Sequence, residues 1–324
     1  MSQGWTPPEG TPPQGGYGTP QWGQQAPMMP YQPIPLSPKP GVIPLRPLKL
    51  GDIWEGAVAT IRGNPTATIG LSLVVTLIAA IPSVLAVALL SRASLYGGVE
   101  TDARGLIAQA GGYVLDGLAG IVLAGMLVFV LAEAVLGRRC SIGAAWQGIR
   151  SRILPLIGLA LIFAVTTAVV GGLLVGLIVL LANTLDAGVV IAIAIPLTLA
   201  IGAGMVFVWT RWSLAAPAVV LERAGPIAAL KRSWALSRGQ FWRILGIEVL
   251  TRIVVGFVSG MATTPVAFLA FGVGGAVTLT VTTIWSAIIG GVLAPFSANV
   301  TGLLYIDQRI RKEALDVTLM AAAS

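Results

Sequence analysis

Six apolar stretches, each as long as a bilayer is thick, constrain this chain more than any other feature. A hydrocarbon core of about 30 Å needs roughly 20 apolar residues of helix to cross it. The stretches lie at about 66–91 ("TATIGLSLVVTLIAAIPSVLAVALLS"), 114–136, 153–183, 188–220, 241–272 and 277–306. Inside lipid the backbone must satisfy its own hydrogen bonds, so runs of this kind fold as helices. The expected fold class is all-α, a polytopic membrane protein with about six transmembrane helices. The boundary between the fifth and sixth spans, in "FLAFGVGGAVTLT", is marked only by glycines.

The flanks complete the domain reading. Residues 1–48 hold thirteen of the twenty-one prolines, with Gly, Gln, Tyr and Trp between them. Too little apolar surface is available there to offset the ordering entropy, so 1–48 is expected to be a disordered, Pro/Gly/Gln-rich tail. The membrane domain is expected over 49–312, with a short tail over 313–324. The N-terminus lacks a basic segment followed by an apolar run, so no cleavable signal peptide is expected.

Charge sets the orientation. Lys39, Arg46, Lys49 and Arg62 precede the first span; Arg138, Arg139, Arg150 and Arg152 lie in the second connection. Arg223, Lys231, Arg232, Arg238 and Arg243 lie in the fourth, and Arg309, Arg311 and Lys312 follow the sixth span. The first, third and fifth connections are balanced, acidic or uncharged. An even number of spans then puts both termini in the cytoplasm, in a bacterial plasma membrane. The net charge of +7 is thus accounted for by membrane sidedness, with no nucleic acid partner required.

Composition also excludes chemistry. The chain has no histidine and one cysteine, Cys140. A Ser-His-Asp triad, a His-ligated metal and an intramolecular disulfide are ruled out. No GxxxxGK[ST] loop occurs, so the chain carries no ATP engine of that type. No cofactor is expected.

Three segments enter the odd spans alike: "LGDIWEGAVATIRGNP", "CSIGAAWQGIRSRILP" and "GPIAALKRSWALSRGQFW". Each offers a helix start, at Asp52, at Ser141, and at Gly225 with Pro226 as first helical residue. Each then shows an apolar stripe at helical spacing: Ile53, Trp54, Ala57, Ile61; Ile142, Ala145, Trp146, Ile149; and Ile227, Leu230, Trp234. The pieces are too short and too charged to span. They read as helices lying in the membrane interface, the fold being three repeats of an interfacial amphipathic helix plus a helical hairpin. Trp54, Trp146, Trp234 and Trp242 are expected at headgroup level. Arg150, Arg152, Lys231, Arg232, Arg238 and Arg243 are expected to face anionic lipid. Gly239 is expected to break the third short helix so that Phe241 can enter the membrane. Glycine runs such as "AVVGGLLVG" and "FGVGGAV" are expected to let helices approach closely.

Among the ionisable residues within spans, four stand out as candidates: Glu133, Arg211, Glu248 and Arg252. Charge in hydrocarbon is costly, so these mark a candidate polar site. Glu248 and Arg252 are four apart and share a helix face. Arg211 precedes Glu222 by eleven residues, about 16 Å along a helix. Two ion pairs, Glu248 with Arg252 and Glu133 with Arg211, would fasten the bundle. Alternatively Arg211 and Arg252 would receive a phosphate-bearing headgroup, or Glu133 and Glu248 would carry protons.

The stretches "GVIPLRPLKLGDIWEGAVATIRGNPTATIGLSLVV", "RWSLAAPAVVLERAGPIAALKRSWALSRGQFWRILGI" and "LLYIDQRIRKEALD", with the Pro/Gly-rich leader, resemble a family of actinobacterial integral membrane proteins. That family is grouped with the membrane domain of glycerophosphoryl diester phosphodiesterase. The likeness spans about 41–316 and is most specific at Glu222, Gly225, Ala229, Leu230, Arg232, Ser233, Trp234, Gly239 and Trp242. It implies a multi-span helical fold. It does not imply phosphodiesterase activity, because the catalytic barrel of those enzymes is a separate domain with histidine and metal-binding carboxylates. The function expected is that of a non-enzymatic membrane protein in envelope or lipid homeostasis, or a scaffold. Its partners would be anionic lipid headgroups and, through the proline-rich tail, other proteins. The alternative is a carrier or channel for a lipid or small solute.

Overall fold

The computed structural model describes residues 41–44, 46–94, 103–270 and 275–315, with side chains over 41–44, 46–85, 115–270 and 277–315. Helices make up the described chain: α1 (Leu50–Gly63), α2 (Leu71–Ser94), α3 (Ala103–Val135), α4 (Ile142–Ile149), α5 (Ile153–Ala182), α6 (Ala187–Trp212), α7 (Ala215–Leu221), α8 (Pro226–Ser237), α9 (Phe241–Ala270) and α10 (Gly275–Glu313). Six stretches are long and apolar enough to cross a membrane: Thr66–Leu85, Leu115–Val135, Ile142–Ala182, Ala187–Leu221, Phe241–Ala270 and Val277–Glu313. The chain is an all-α, multi-pass membrane protein.

A short helix precedes each odd span, as the threefold pattern predicts. Ser141 caps α4, its side chain accepting from the Ala144 N–H at 3.2 Å. Gly225 is the N-cap of α8 with Pro226 as its first residue, and Gly239, at φ +75°, separates α8 from α9. The left-handed φ at Gly239 is strained for any residue with a Cβ. The start at Asp52 needs correction. Helix α1 begins two residues earlier, and the Asp52 carboxylate accepts from the Lys49 backbone N–H at 2.9 Å. An acidic side chain reaching back in this way satisfies an otherwise orphaned donor.

On α1 and α4 part of the stripe faces protein, while Ile142 and Trp146 of α4 are exposed. Ile53 and Ala57 of α1 and Ala145 and Ile149 of α4 are fully buried. On α8 the covered face is Ala229, Ser233, Leu236 and Ser237, while Ile227 is exposed, a different face from the one predicted. Small residues let α8 lie close against α7 and α10, and that packing overrides the apolar stripe.

Helix α10 organises this end of the bundle. At 39 residues it extends about 58 Å, more than the roughly 45 Å of a bilayer with its headgroups. Its last turns are deeply buried, with Leu303, Leu304, Tyr305, Asp307 and Gln308 all at 0% exposure. By contrast Leu173 in the second half of α5, Leu199 at the middle of α6 and Phe268 near the end of α9 are largely exposed. Lipid tails solvate such side chains as well as protein does, so nothing forces those halves together.

Two more expectations are corrected. Residues 41–48 are not tail: Ile43 and Leu48 are fully buried, with Val42 packed beside them. Two apolar anchors flanking the φ-restricting Pro44 and Pro47 recover what a Pro-rich composition alone conceals. The glycines of "AVVGGLLVG" face open space at Gly171, Gly172 and Gly176. Close approach occurs instead at Gly56 against Ile43 and Leu303, and at Gly302 against Leu131. Residues 1–40, 271–274 and 316–324, and with them most of "FGVGGAV", lie outside the described residues.

Candidate functional site

The buried turns of α10 carry a charge network that ties together parts of the chain remote in sequence. Asp307, fully buried, accepts from the Leu48 N–H at 2.7 Å and from Arg311 Nε at 3.0 Å, and forms an ion pair with Arg243. Both arginines also donate to the Leu48 carbonyl, Arg243 Nη2 at 2.7 Å and Arg311 Nη2 at 3.0 Å. The Asp307 carboxylate and the backbone N–H and carbonyl of Leu48 thus clamp the segment entering α1, the start of α9 and the end of α10.

A second network centres on Glu222, just after α7. Arg232 donates Nε and Nη2 to its carboxylate at 2.8–3.0 Å, Tyr305 donates its hydroxyl, and Arg309 approaches to 3.5 Å. Glu313 closes the ring by pairing with Arg232 and Arg309. Burial raises the carboxyl pKa of Glu222, but the bonds from Arg232 and Tyr305 and the charges of Arg232 and Arg309 outweigh it, leaving the pKa below the usual range. The same bond raises Arg232 further above its ordinary value.

The four intramembrane residues do not assemble into one site. Glu133 pairs at 4.0 Å with Arg138 of the adjacent connection, so the expected bond to Arg211 is not formed. The Arg211 guanidinium lies 5.2, 5.3 and 5.5 Å from the ring centres of Phe207, Trp234 and Phe241, and its Nη1 donates to Ser237 at 3.3 Å. Three aromatic faces take the place of a carboxylate, a favourable setting for a guanidinium with little water around it. Glu248 is buried beside the Ser213 hydroxyl, with Oε1 unpartnered, whereas Arg252 is exposed. Arg252 acts on Glu248 through charge, but the two form no contact ion pair among the described residues.

The interfacial residues divide in the same way. Trp54 donates Nε1 to Thr251 at 3.3 Å and packs edge-on against Phe296, and Trp234 covers Arg211, so neither is free to anchor in lipid. Arg232 and Arg243 are held by the two networks. Trp146 and Trp242 are exposed, as are Arg150, Lys231 and Arg238, while Arg152 is half-buried. Tyr305, Asp307 and Arg311 were not singled out as site residues from sequence. The one sequence signal for Asp307 is an acid set close to three basic residues, Arg309, Arg311 and Lys312.

Beside the Asp307 clamp is a cleft of about 430 Å³, lined by Leu48, Lys49, Leu50, Trp242, Arg243, Gly246, Ile247, Leu250 and Arg311. Its mouth is cationic and its wall apolar. None of Glu133, Arg211, Glu248 or Arg252 lines it. Among the described residues no three of Cys, Asp and Glu are placed to share a metal ion.

The sequence model of one protein family, a domain of unknown function (DUF7847), matches residues 84–302. The chain belongs to that family. The DUF7847 region covers α3 to α9, with Glu222, Arg232 and Arg243, and ends just before the buried turns of α10 that bear Tyr305, Asp307 and Arg311. Comparison with curated proteins and with solved structures found no match.

Proposed function

We propose that this DUF7847 protein is a non-enzymatic membrane protein that gathers anionic lipid at one end of its helical bundle, in the service of envelope or lipid homeostasis. In this reading the basic end faces the cytoplasm, both termini lie there, and the membrane is a bacterial plasma membrane. The relationship to the membrane domain of glycerophosphoryl diester phosphodiesterase, and protein docking through the proline-rich tail, belong to the same proposal.

The observation that carries it is a set of exposed cations on and beside the short helices α4 and α8. Arg139, Arg150, Lys231 and Arg238 are exposed and form no ion pair among the described residues. The carboxylates of Glu133, Glu222 and Glu313 pair with Arg138, Arg232 and Arg309 instead, so these four remain to attract anionic headgroups, at about 1 kcal/mol each. A carrier route through Glu133, Arg211, Glu248 and Arg252 has less support, because those groups are dispersed.

Two experiments test the proposal. The full chain, placed in nanodiscs of phosphatidylcholine with a minority of phosphatidylglycerol, should enrich phosphatidylglycerol in its bound lipid. Exchange of Arg139, Arg150, Lys231 and Arg238 for Gln should reduce that enrichment; equal lipid profiles would refute the proposal. A reporter fused at Gly98 should be found outside the cell and one after Ser324 inside, and the reverse pattern would overturn the orientation.

A further inference from the structure

We propose that the cleft between the start of α9 and the turn into α1 seats one anionic phospholipid, its phosphate against Lys49, Arg243 and Arg311 and its chain along Gly246, Ile247 and Leu250. This rests on the reading of the basic end as a lipid-gathering surface and assigns a single site within it.

Three cations, Lys49, Arg243 and Arg311, line the cleft; the two arginines share the single buried carboxylate of Asp307, and Lys49 lies beside them. The two guanidiniums are already fixed, because each spends an Nη2 on the Leu48 carbonyl and both hold Asp307. Among the described residues neither Nε of Arg243 nor Nη1 of Arg311 has a protein acceptor, so each fixed guanidinium keeps one nitrogen free close to the exposed Lys49. Guanidinium N–H groups form charge-assisted hydrogen bonds to phosphate oxygens, and two side chains already held in place have little freedom left to lose on binding.

The apolar wall decides between an amphiphile and a soluble anion. Arg243 is the third residue of α9, and Leu250 follows seven residues later, about 10 Å deeper along the axis. Charge therefore lies at the mouth, and Gly246, Ile247 and Leu250 lead away from it along a membrane-crossing helix. Gly246 leaves the groove open: a Cβ placed there meets no atom within 4 Å. Trp242, 80% exposed, stands at the rim, where an indole favours the headgroup layer. A volume of about 430 Å³ suits a headgroup and the first carbons of a chain. A free phosphate would use the cations and leave the wall empty.

The test uses the full chain in phosphatidylcholine nanodiscs with a minority of phosphatidylglycerol, and mass spectrometry of the lipid retained on gentle extraction into detergent. Wild type should retain phosphatidylglycerol over phosphatidylcholine. Lys49→Gln should lower that preference about fivefold, the equivalent of the ~1 kcal/mol of one basic residue at a membrane surface. Gly246→Trp fills the groove without touching a charge and should abolish retention, while its elution profile and helical circular dichroism stay those of wild type. Retention by a folded Gly246→Trp equal to wild type overturns the proposal, as does displacement of phosphatidylglycerol by inorganic phosphate at equal concentration. If only the fourfold variant of Arg139, Arg150, Lys231 and Arg238 loses the preference, the cleft assignment fails and the broader function stands. If wild type shows no preference for phosphatidylglycerol, both fail.

Discussion

Replacing Asp307 by Asn tests whether the clamp beneath the cleft holds the bundle's basic end together. The substitution keeps volume, and Oδ1 can still accept from the Leu48 N–H, now 2.7 Å away. What is lost is the negative charge shared by Arg243 and Arg311, and an amide N–H is turned toward guanidinium donors. Removing one partner of a buried ion pair costs about 3–5 kcal/mol, chiefly because the other charge is stranded. Asp307 has no exposed surface, but the side chains of Arg243 and Arg311 are 25% and 30% exposed, so both regain some water. That places the expected cost near the lower end, about 3 kcal/mol. At ~2–4 °C per kcal/mol for a domain of this size, the midpoint should fall by about 6–12 °C. Tryptophan fluorescence on heating in nanodiscs would read it. Arg243→Gln added to Asp307→Asn should recover part of the loss, because it removes one stranded charge; coupling in such networks reaches about 0.5–3 kcal/mol. A fall of less than about 3 °C, with additive single and double variants, would refute the clamp.

Other outcomes follow from the neighbouring groups. Because Glu222 has a lowered pKa in the folded chain, its stabilisation is fully present above the ordinary carboxylate value of 4.5 and fades as pH falls through the lowered one. Thermal midpoints of wild type and Glu222→Gln should therefore differ by a constant amount at neutral pH and converge in acid; a gap that persists in acid would contradict the network. Arg211→Gln should lose about 1–3 kcal/mol of stability, since up to three ring contacts of roughly 0.5–1 kcal/mol each disappear, and Arg211→Lys should restore part of it. Unchanged stability would mean the rings do not hold the cation. Burial, followed by the charge of Glu133, raises the Cys140 thiol pKa, so iodoacetamide should label it slowly at neutral pH in the folded protein and rapidly after unfolding. Equal rates would show that the α3 to α4 connection is open.

Much of the architecture was legible without coordinates, because the information is local. Crossing a membrane requires about 20 apolar residues in a row, and hydropathy adds residue by residue. Ser141, the Gly225–Pro226 pair and Gly239 punctuate helices through their own backbone and side-chain chemistry. Composition misled at 41–48, where the burial of Ile43 and Leu48 depends on surfaces supplied by the rest of the chain. It misled again at α8, whose covered face was chosen by close packing of small residues.

Charge partners were legible only in tertiary structure. A basic residue four positions from an acid reads as a pair, yet Glu248 and Arg252 form none, while Arg243 meets Asp307 across 64 residues and Tyr305 meets Glu222 across 83. Hydropathy is a sum along the chain, but an ion pair depends on distance through space and on the water removed around it. The sequence therefore determined six crossings, three short helices at their entrances and a basic end. Only the folding back of α10 into that end decided which arginines are locked and which remain free for a ligand.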